Sequence, residues 1–310
     1  MPRFKTFAGA LLLGSALFAA AAFAQSGRWT TGAPMPSART EVAVAEVGGK
    51  IYVVGGYRGE RELEVYDPVA DRWSRGASIP RALHHTAAVG LKDKLYVVGG
   101  FVEGWTPTDE VHEYDPASDR WQRLAALPTP RGALAAAVLD GKIYAVGGVG
   151  WRGRNTSAHE VYDPGTNRWT GLAYVPTARD HLVAAAMDGR LYAVGGRIDG
   201  NYSRNLPLNE AYDPATDRWK QRAPMPMARS GIAAAVLEGL MFVFGGEAPS
   251  GTFNQAEAFD AKSNGWSRYT GMPTARHGLG AAAVAGRIYV ISGGPTPGDS
   301  VSATNETFMP

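Results

Sequence analysis

The stretch Ala135–Trp169, AAAVLDGKIYAVGGVGWRGRNTSAHEVYDPGTNRW, decides how the chain is read. It opens on small apolar residues, turns at Asp140-Gly141, and runs through the alternating segment Lys142–Val146 into Gly147-Gly148. A polar loop follows, then Glu160-Val161-Tyr162-Asp163-Pro164, a further turn, and Trp169. Four short strand-forming runs separated by three turn signals predict a four-stranded antiparallel meander.

The unit recurs along the chain. Gly-Gly pairs fall at 55/56, 99/100, 147/148, 195/196, 245/246 and 293/294, and tryptophans keep the same beat at Trp29, Trp73, Trp121, Trp169, Trp219 and Trp266. Tyr-Asp-Pro returns at Tyr66, Tyr114, Tyr162 and Tyr212 and weakens to Phe259-Asp260-Ala261. A period of about fifty residues carrying a Gly pair, a Tyr and a Trp resembles the kelch repeat, one blade of a β-propeller. The resemblance covers essentially everything after residue 26 and implies an all-β, six-bladed kelch-type propeller over residues 25–310, with no room for a second domain. The last unit lacks a closing Trp segment after Asn305–Phe308, whereas Gly27–Gly32 around Trp29 has no strands before it. The N-terminal strand is therefore expected to complete the last blade and leave no exposed sheet edge.

Residues 1–24 read as a bacterial-type signal peptide. Arg3 and Lys5 precede an Ala-rich apolar run, Phe7–Phe23, and Ala22-Phe23-Ala24 is a cleavage signature that places the cut after Ala24. The run is short for a membrane span, so the chain is expected to be periplasmic or secreted, without a span after cleavage, and monomeric. Without Arg3 and Lys5, the 31 basic residues fall level with the 29 acidic ones, which argues against nucleic-acid binding. The chain has no cysteine, so it has no disulfide framework. Asn155, Asn201 and Asn305 head Asn-x-Ser/Thr triplets, which we read as chance in a bacterial protein.

Small inner-strand residues (Glu41–Val47, Ala133–Leu139), the Gly pairs, the outer Tyr and Trp, and the Asp-Pro turns all serve the blade. Function must sit in what the repeat leaves free. The loops after each Gly pair (57–62, 101–109, 149–158, 197–208, 247–255 and 295–304) are long and irregular and share one face with the segments entering each first strand. Those segments carry Pro-x-x-Arg at Arg39, Arg131, Arg179, Arg229 and Arg276; the second unit departs, with Leu83 in register and Arg81 two residues earlier. In kelch domains that bind acidic peptides, arginines at this point line the channel mouth. The resemblance thus implies a ligand-binding ring of five guanidiniums, suited to a carboxylate or phosphate. The alternative is that each braces the ring against a third-strand acid, Glu64, Glu160, Glu210, Glu257 or Glu306.

Just inside that ring lie Glu41, His85, Asp180 and His181, candidates for moving protons or simply polar strand starts. No histidine spacing marks a metal site, and no cofactor is expected. The copper chemistry of galactose oxidase, which shares kelch-type blades, is excluded because its cofactor needs a cysteine. Two tryptophans stand outside the repeat, Trp105 and Trp151. With Arg152, they are expected to flank a cleft on the long-loop face and stack on a sugar or a peptide side chain. Two functions follow: a binding module for a partner protein or an anionic glycan, or a cofactor-free enzyme similar to the periplasmic kelch mutarotase acting on sialic acid.

Overall fold

The computed structural model describes residues 26–310; the signal peptide expected at 1–24 lies outside the described residues. Six four-stranded antiparallel sheets are arranged as the blades of a propeller, and the third is representative. Its strands are Ala135–Leu139, Lys142–Val146, His159–Asp163 and Arg168–Gly171, numbered here outward from the axis. Among the described residues there is no helix long and apolar enough to cross a membrane.

The sixth sheet is made from both ends of the chain. Arg28–Thr31 pairs antiparallel with Asn305–Met309, setting Trp29 opposite Phe308. Trp29 packs on Phe308 at 4.9 Å and on Phe244 of blade five at 5.8 Å. Its Nε1 donates to the Thr270 carbonyl at 2.8 Å, as Trp169 donates to Ala125 at 3.0 Å. The N-terminal strand thus does for the last blade what the fourth strand does for every other.

The core lies between blades rather than within them. Val89, Tyr96 and Val98 of blade two, for instance, pack on Ile143, Ala145 and Tyr162 of blade three. Close approach also explains the Gly pair. A Cβ on Gly147 would lie 2.7 Å from the Arg179 carbonyl of the next blade, and φ there is +64°, where only glycine sits without strain. The second glycine, Gly148, donates its N–H to the same carbonyl at 2.9 Å. In blade six the register is one residue earlier than the Gly293-Gly294 count implied. Ser292 (φ +64°) takes the first place, its hydroxyl donating to the Arg39 carbonyl at 2.6 Å.

The inner strands begin at Ala43 and Ala135, two residues later than expected, because Glu41 and Ala133 lie in the left-handed region at φ +54° and +52°. That turn is repeated in all six blades. Glu41 N–H donates to Gly278 O, His85 to Glu41, Ala133 to His85, His181 to Ala133, Gly231 to His181 and Gly278 to Gly231, at 2.8–3.2 Å. A closed backbone ring therefore encircles the axis at the long-loop face.

Candidate functional site

The arginines come first, because their placement corrects an expectation. Arg39, Arg131, Arg179, Arg229 and Arg276 do not line the channel mouth; all five are fully buried. Arg39 meets Glu64 at 2.7 Å, Arg131 meets Glu160 at 2.5 Å, Arg229 meets Glu257 at 2.5 Å and Arg276 meets Glu306 at 2.7 Å, and Arg179 pairs with Glu210 in the same way. Each guanidinium also donates to second-strand carbonyls of its own blade, as Arg179 does to Ala193 at 2.8 Å. A buried guanidinium needs this many acceptors to offset its desolvation, so it turns into the blade rather than toward the axis. Blade two lacks both partners: Leu83 replaces the arginine, and His112 stands where the others place the glutamate, bonded to Glu110 at 2.8 Å. The two replacements occur together.

The mouth itself is built by three groups of positions. The hydrogen-bonded ring points Glu41, His85 and His181 inward, while Ala133, Gly231 and Gly278 leave the other half open. The residues before them add His84, Asp180 and His277, and those following the Gly pairs add Tyr57, Arg197 and Glu247. A cup of about 120 Å³ is lined by the six ring residues and by the residue that follows each, such as Val42, Thr86 and Leu134. Three of the six ring positions hold an ionisable side chain at φ above +50°, a conformation that blades five and six meet with glycine.

Arg197 organises one side. Its Nη1 reaches Glu247 at 2.6 Å, its Nε reaches Asp180 at 3.3 Å and its Nη2 lies 2.7 Å from His181 Nε2. That nitrogen must accept, so the His181 proton sits on Nδ1, facing Asp180. Opposite, His85 Nε2 lies 3.3 Å from one Glu41 oxygen and His277 Nε2 lies 3.7 Å from the other. The Glu41 carboxylate makes no hydrogen bond among the described residues. Burial alone raises its pKa, but His85, His181, His277 and Arg197 outweigh that and hold it at about 2. Asp180 is likewise held at about 2, against burial, by His181, Asn155 and the Gly200 N–H. Burial drives His85 well below the ordinary imidazole value despite Glu41, and His84 follows it. Near neutral pH Glu41 and Asp180 are therefore both carboxylates.

Sequence reasoning picked out Glu41, His85, Asp180 and His181, and these four do converge. It missed Arg197, Glu247 and His277. The signal was the residue after each Gly pair, apolar or aromatic at Tyr57, Phe101 and Val149 but charged at Arg197 and Glu247.

The two extra tryptophans part company. Trp105, 55% exposed, stands over the mouth with its ring 5.0 Å from both His84 and His85 and 5.2 Å from Phe101. It lines a side groove of about 180 Å³ with Val149, Gly153, Arg197 and Asp199, and this groove meets the central cup at His181. The loops of blades two and three are thus neighbours, as the spacing implied. Trp151, 62% exposed, and Arg152 line neither cavity.

Comparison with known proteins agrees with the blade geometry. The family model described as the KLHDC2/KLHL20/DRC7 Kelch-repeats domain matches residues 24–148 and 175–309, and the Kelch motif matches 130–176. The chain belongs to the kelch-repeat family. Among curated kelch proteins, an F-box/kelch-repeat protein of Arabidopsis thaliana is 54% identical over 44 residues, 14% of this chain. That match spans only 12% of the plant protein's length. The solved structure of YjhT superposes with a TM-score of 0.78 at 15% identity, covering 88% of this chain and 95% of that one, a likeness of fold alone.

Proposed function

We propose that this kelch propeller is an exported binding module that takes a small hydroxyl- or amine-bearing group, such as the end of a glycan, into the cup at its channel mouth. The observation that carries this reading is Trp105, an indole more than half exposed on a side groove that meets the central cup at His181. Exposed aromatic residues beside converging polar groups commonly mark ligand sites. Charge argues against an anionic glycan as the main ligand. Three carboxylates, Glu41, Asp180 and Glu247, face a single guanidinium that two of them already hold. Ligand hydroxyls or ammonium groups would instead find a free acceptor in Glu41. Export rests on the leader-like first 24 residues.

A glycan-array and titration series with Trp105→Ala and Trp151→Ala tests the reading. Removing an aromatic anchor commonly costs about 2 kcal/mol of binding, so Trp105→Ala should weaken the ligand by more than about tenfold. Trp151→Ala should change it little. Equal affinity in the Trp105 variant, with the melting temperature unchanged, would sink the proposal.

One observation favours a second reading, a cofactor-free mutarotase or epimerase. His85 and His277 lie 3.3 and 3.7 Å from the Glu41 carboxylate, groups able to take and return a proton. NMR of freshly dissolved sugars, neutral and sialic-acid-like, decides it: unchanged anomer interconversion eliminates the enzyme reading.

A further inference from the structure

We propose that the channel mouth holds a divalent transition-metal ion between Glu41, Glu247 and His277. One carboxylate oxygen of Glu41, one of Glu247 and a ring nitrogen of His277 all lie within 4.8 Å of one another. Two of those separations are 3.7 Å, from His277 Nε2 to Glu41 Oε1 and to Glu247 Oε2. Donors about 2.0–2.2 Å from a tetrahedral ion sit about 3.3–3.6 Å apart, so the three are already near ligating separation. Oxygen and imidazole donors of this mixture suit zinc, cobalt or manganese.

A second observation points to the same place. The His85 side chain is 3% exposed, and its Nε2 points at Glu41 Oε2 from 3.3 Å without a hydrogen bond to any described residue. Its other ring nitrogen is engaged by His84 Nδ1 at 2.7 Å, which fixes the ring's orientation. Neither oxygen of Glu41 is hydrogen-bonded either. Elsewhere in the molecule buried carboxylates find a guanidinium, as Glu64 finds Arg39. Two carboxylate oxygens left without a donor beside an imidazole are what a cation would satisfy at once.

The outer contacts have the form that supports ligands. Arg197 holds Glu247 Oε1 at 2.6 Å, and Oε2 accepts from the Gly298 N–H at 3.2 Å. His277 Nδ1 faces the Gly294 carbonyl at 3.1 Å, so donation there leaves Nε2 as the ligating lone pair. What must yield is Gly298 in an exposed loop turn, whose carbonyl lies 2.9 Å from Nε2 and whose N–H holds Glu247 Oε2. His181 is not a ligand in this arrangement, because Arg197 occupies its Nε2.

The inference does not depend on sugar binding, and its test involves no sugar. Full-length mature protein, stripped with chelator, is titrated calorimetrically with Zn2+. One ion per chain is expected, and Glu41→Gln and His277→Gln should each lower affinity by at least about tenfold, as losses around a metal centre commonly do. No saturable binding at millimolar Zn2+, or binding undiminished in both variants, overturns the proposal. Should the variants fail to fold, Co2+ added to the parent decides. Intense visible bands of a four- or five-coordinate site support the proposal, and the weak spectrum of hydrated Co2+ overturns it.

Discussion

Two sets of buried charge lie one layer apart in this propeller, and they are built on opposite principles. In the outer set, five arginines each meet a glutamate of their own blade and take up backbone carbonyls besides. The charge there is closed upon itself and repeats with the blades. In the mouth, equivalent positions carry different side chains from blade to blade, one guanidinium serves two carboxylates, and Glu41 is left without a hydrogen bond. The lesson is that burial of a charged side chain does not mark function; a surplus of acceptors over donors does.

The comparison can be broken most forcefully at a brace. Arg229→Ala leaves Glu257 buried and unpaired, which should cost about 3–5 kcal/mol in urea unfolding. The pair replacement Arg229→Leu with Glu257→Leu should recover most of that loss, since blade two already dispenses with the pair at Leu83 and His112. Losses of the same size in both variants would show that these arginines do more than brace.

That blade-two substitution also measures how much the sequence could tell. Blade number, strand order and the seam at Trp29 were legible because Gly, Tyr and Trp recur where backbone crowding and interblade packing admit few alternatives. The direction of the arginines was not, because Pro-x-x-Arg is the same string whether the side chain turns into the blade or toward the axis. The joint loss of Arg and Glu in one unit would have favoured the brace, but only after His112 had been put in register with Glu64 and Glu160. Of the mouth, the ring residues Glu41, His85 and His181 could be aligned. Arg197 and Glu247 sit at a fixed place after the Gly pair, but with Tyr57, Phe101 and Val149 in the same place the string does not say that this position faces the axis.

Acid provides the next test, of intermediate size. Burial lowers His159, in the bracing layer of blade three, from 6.5 to about 4, so the unfolded chain binds a proton there before the folded one does. Stability is therefore complete above pH 6.5 and falls as pH drops toward about 4, by up to about 3 kcal/mol from this group. Burial lowers His84 and His85 too, so they act in the same direction below pH 6.5. Asp180 and Glu41, both held at about 2, begin to be lost only below the ordinary carboxylate range. Unfolding free energies at pH 7 and 4.5 should show a smaller decline in His159→Gln than in the parent. Identical slopes would mean that His159 titrates normally.

The smallest effect belongs to the mouth. Glu41→Gln gives up no hydrogen bond, only the attraction of the charges that lower its pKa, so it should cost less than Arg229→Ala. A drop as large as that of Arg229→Ala would place Glu41 among the braces and erase the distinction.

The ring of backbone hydrogen bonds beneath that carboxylate has an electrical consequence. Its six peptide N–H groups all point the same way round the axis, each to the neighbouring blade. Dipoles that circulate in this manner cancel pairwise across the circle, unlike those of a helix, which add along its length. The ring thus contributes no net pole to the cup, and its six donors are already spent on one another. Whatever enters meets a floor that is electrically silent, and the sign of its welcome is set by a handful of side chains that mutation can rewrite without touching the scaffold.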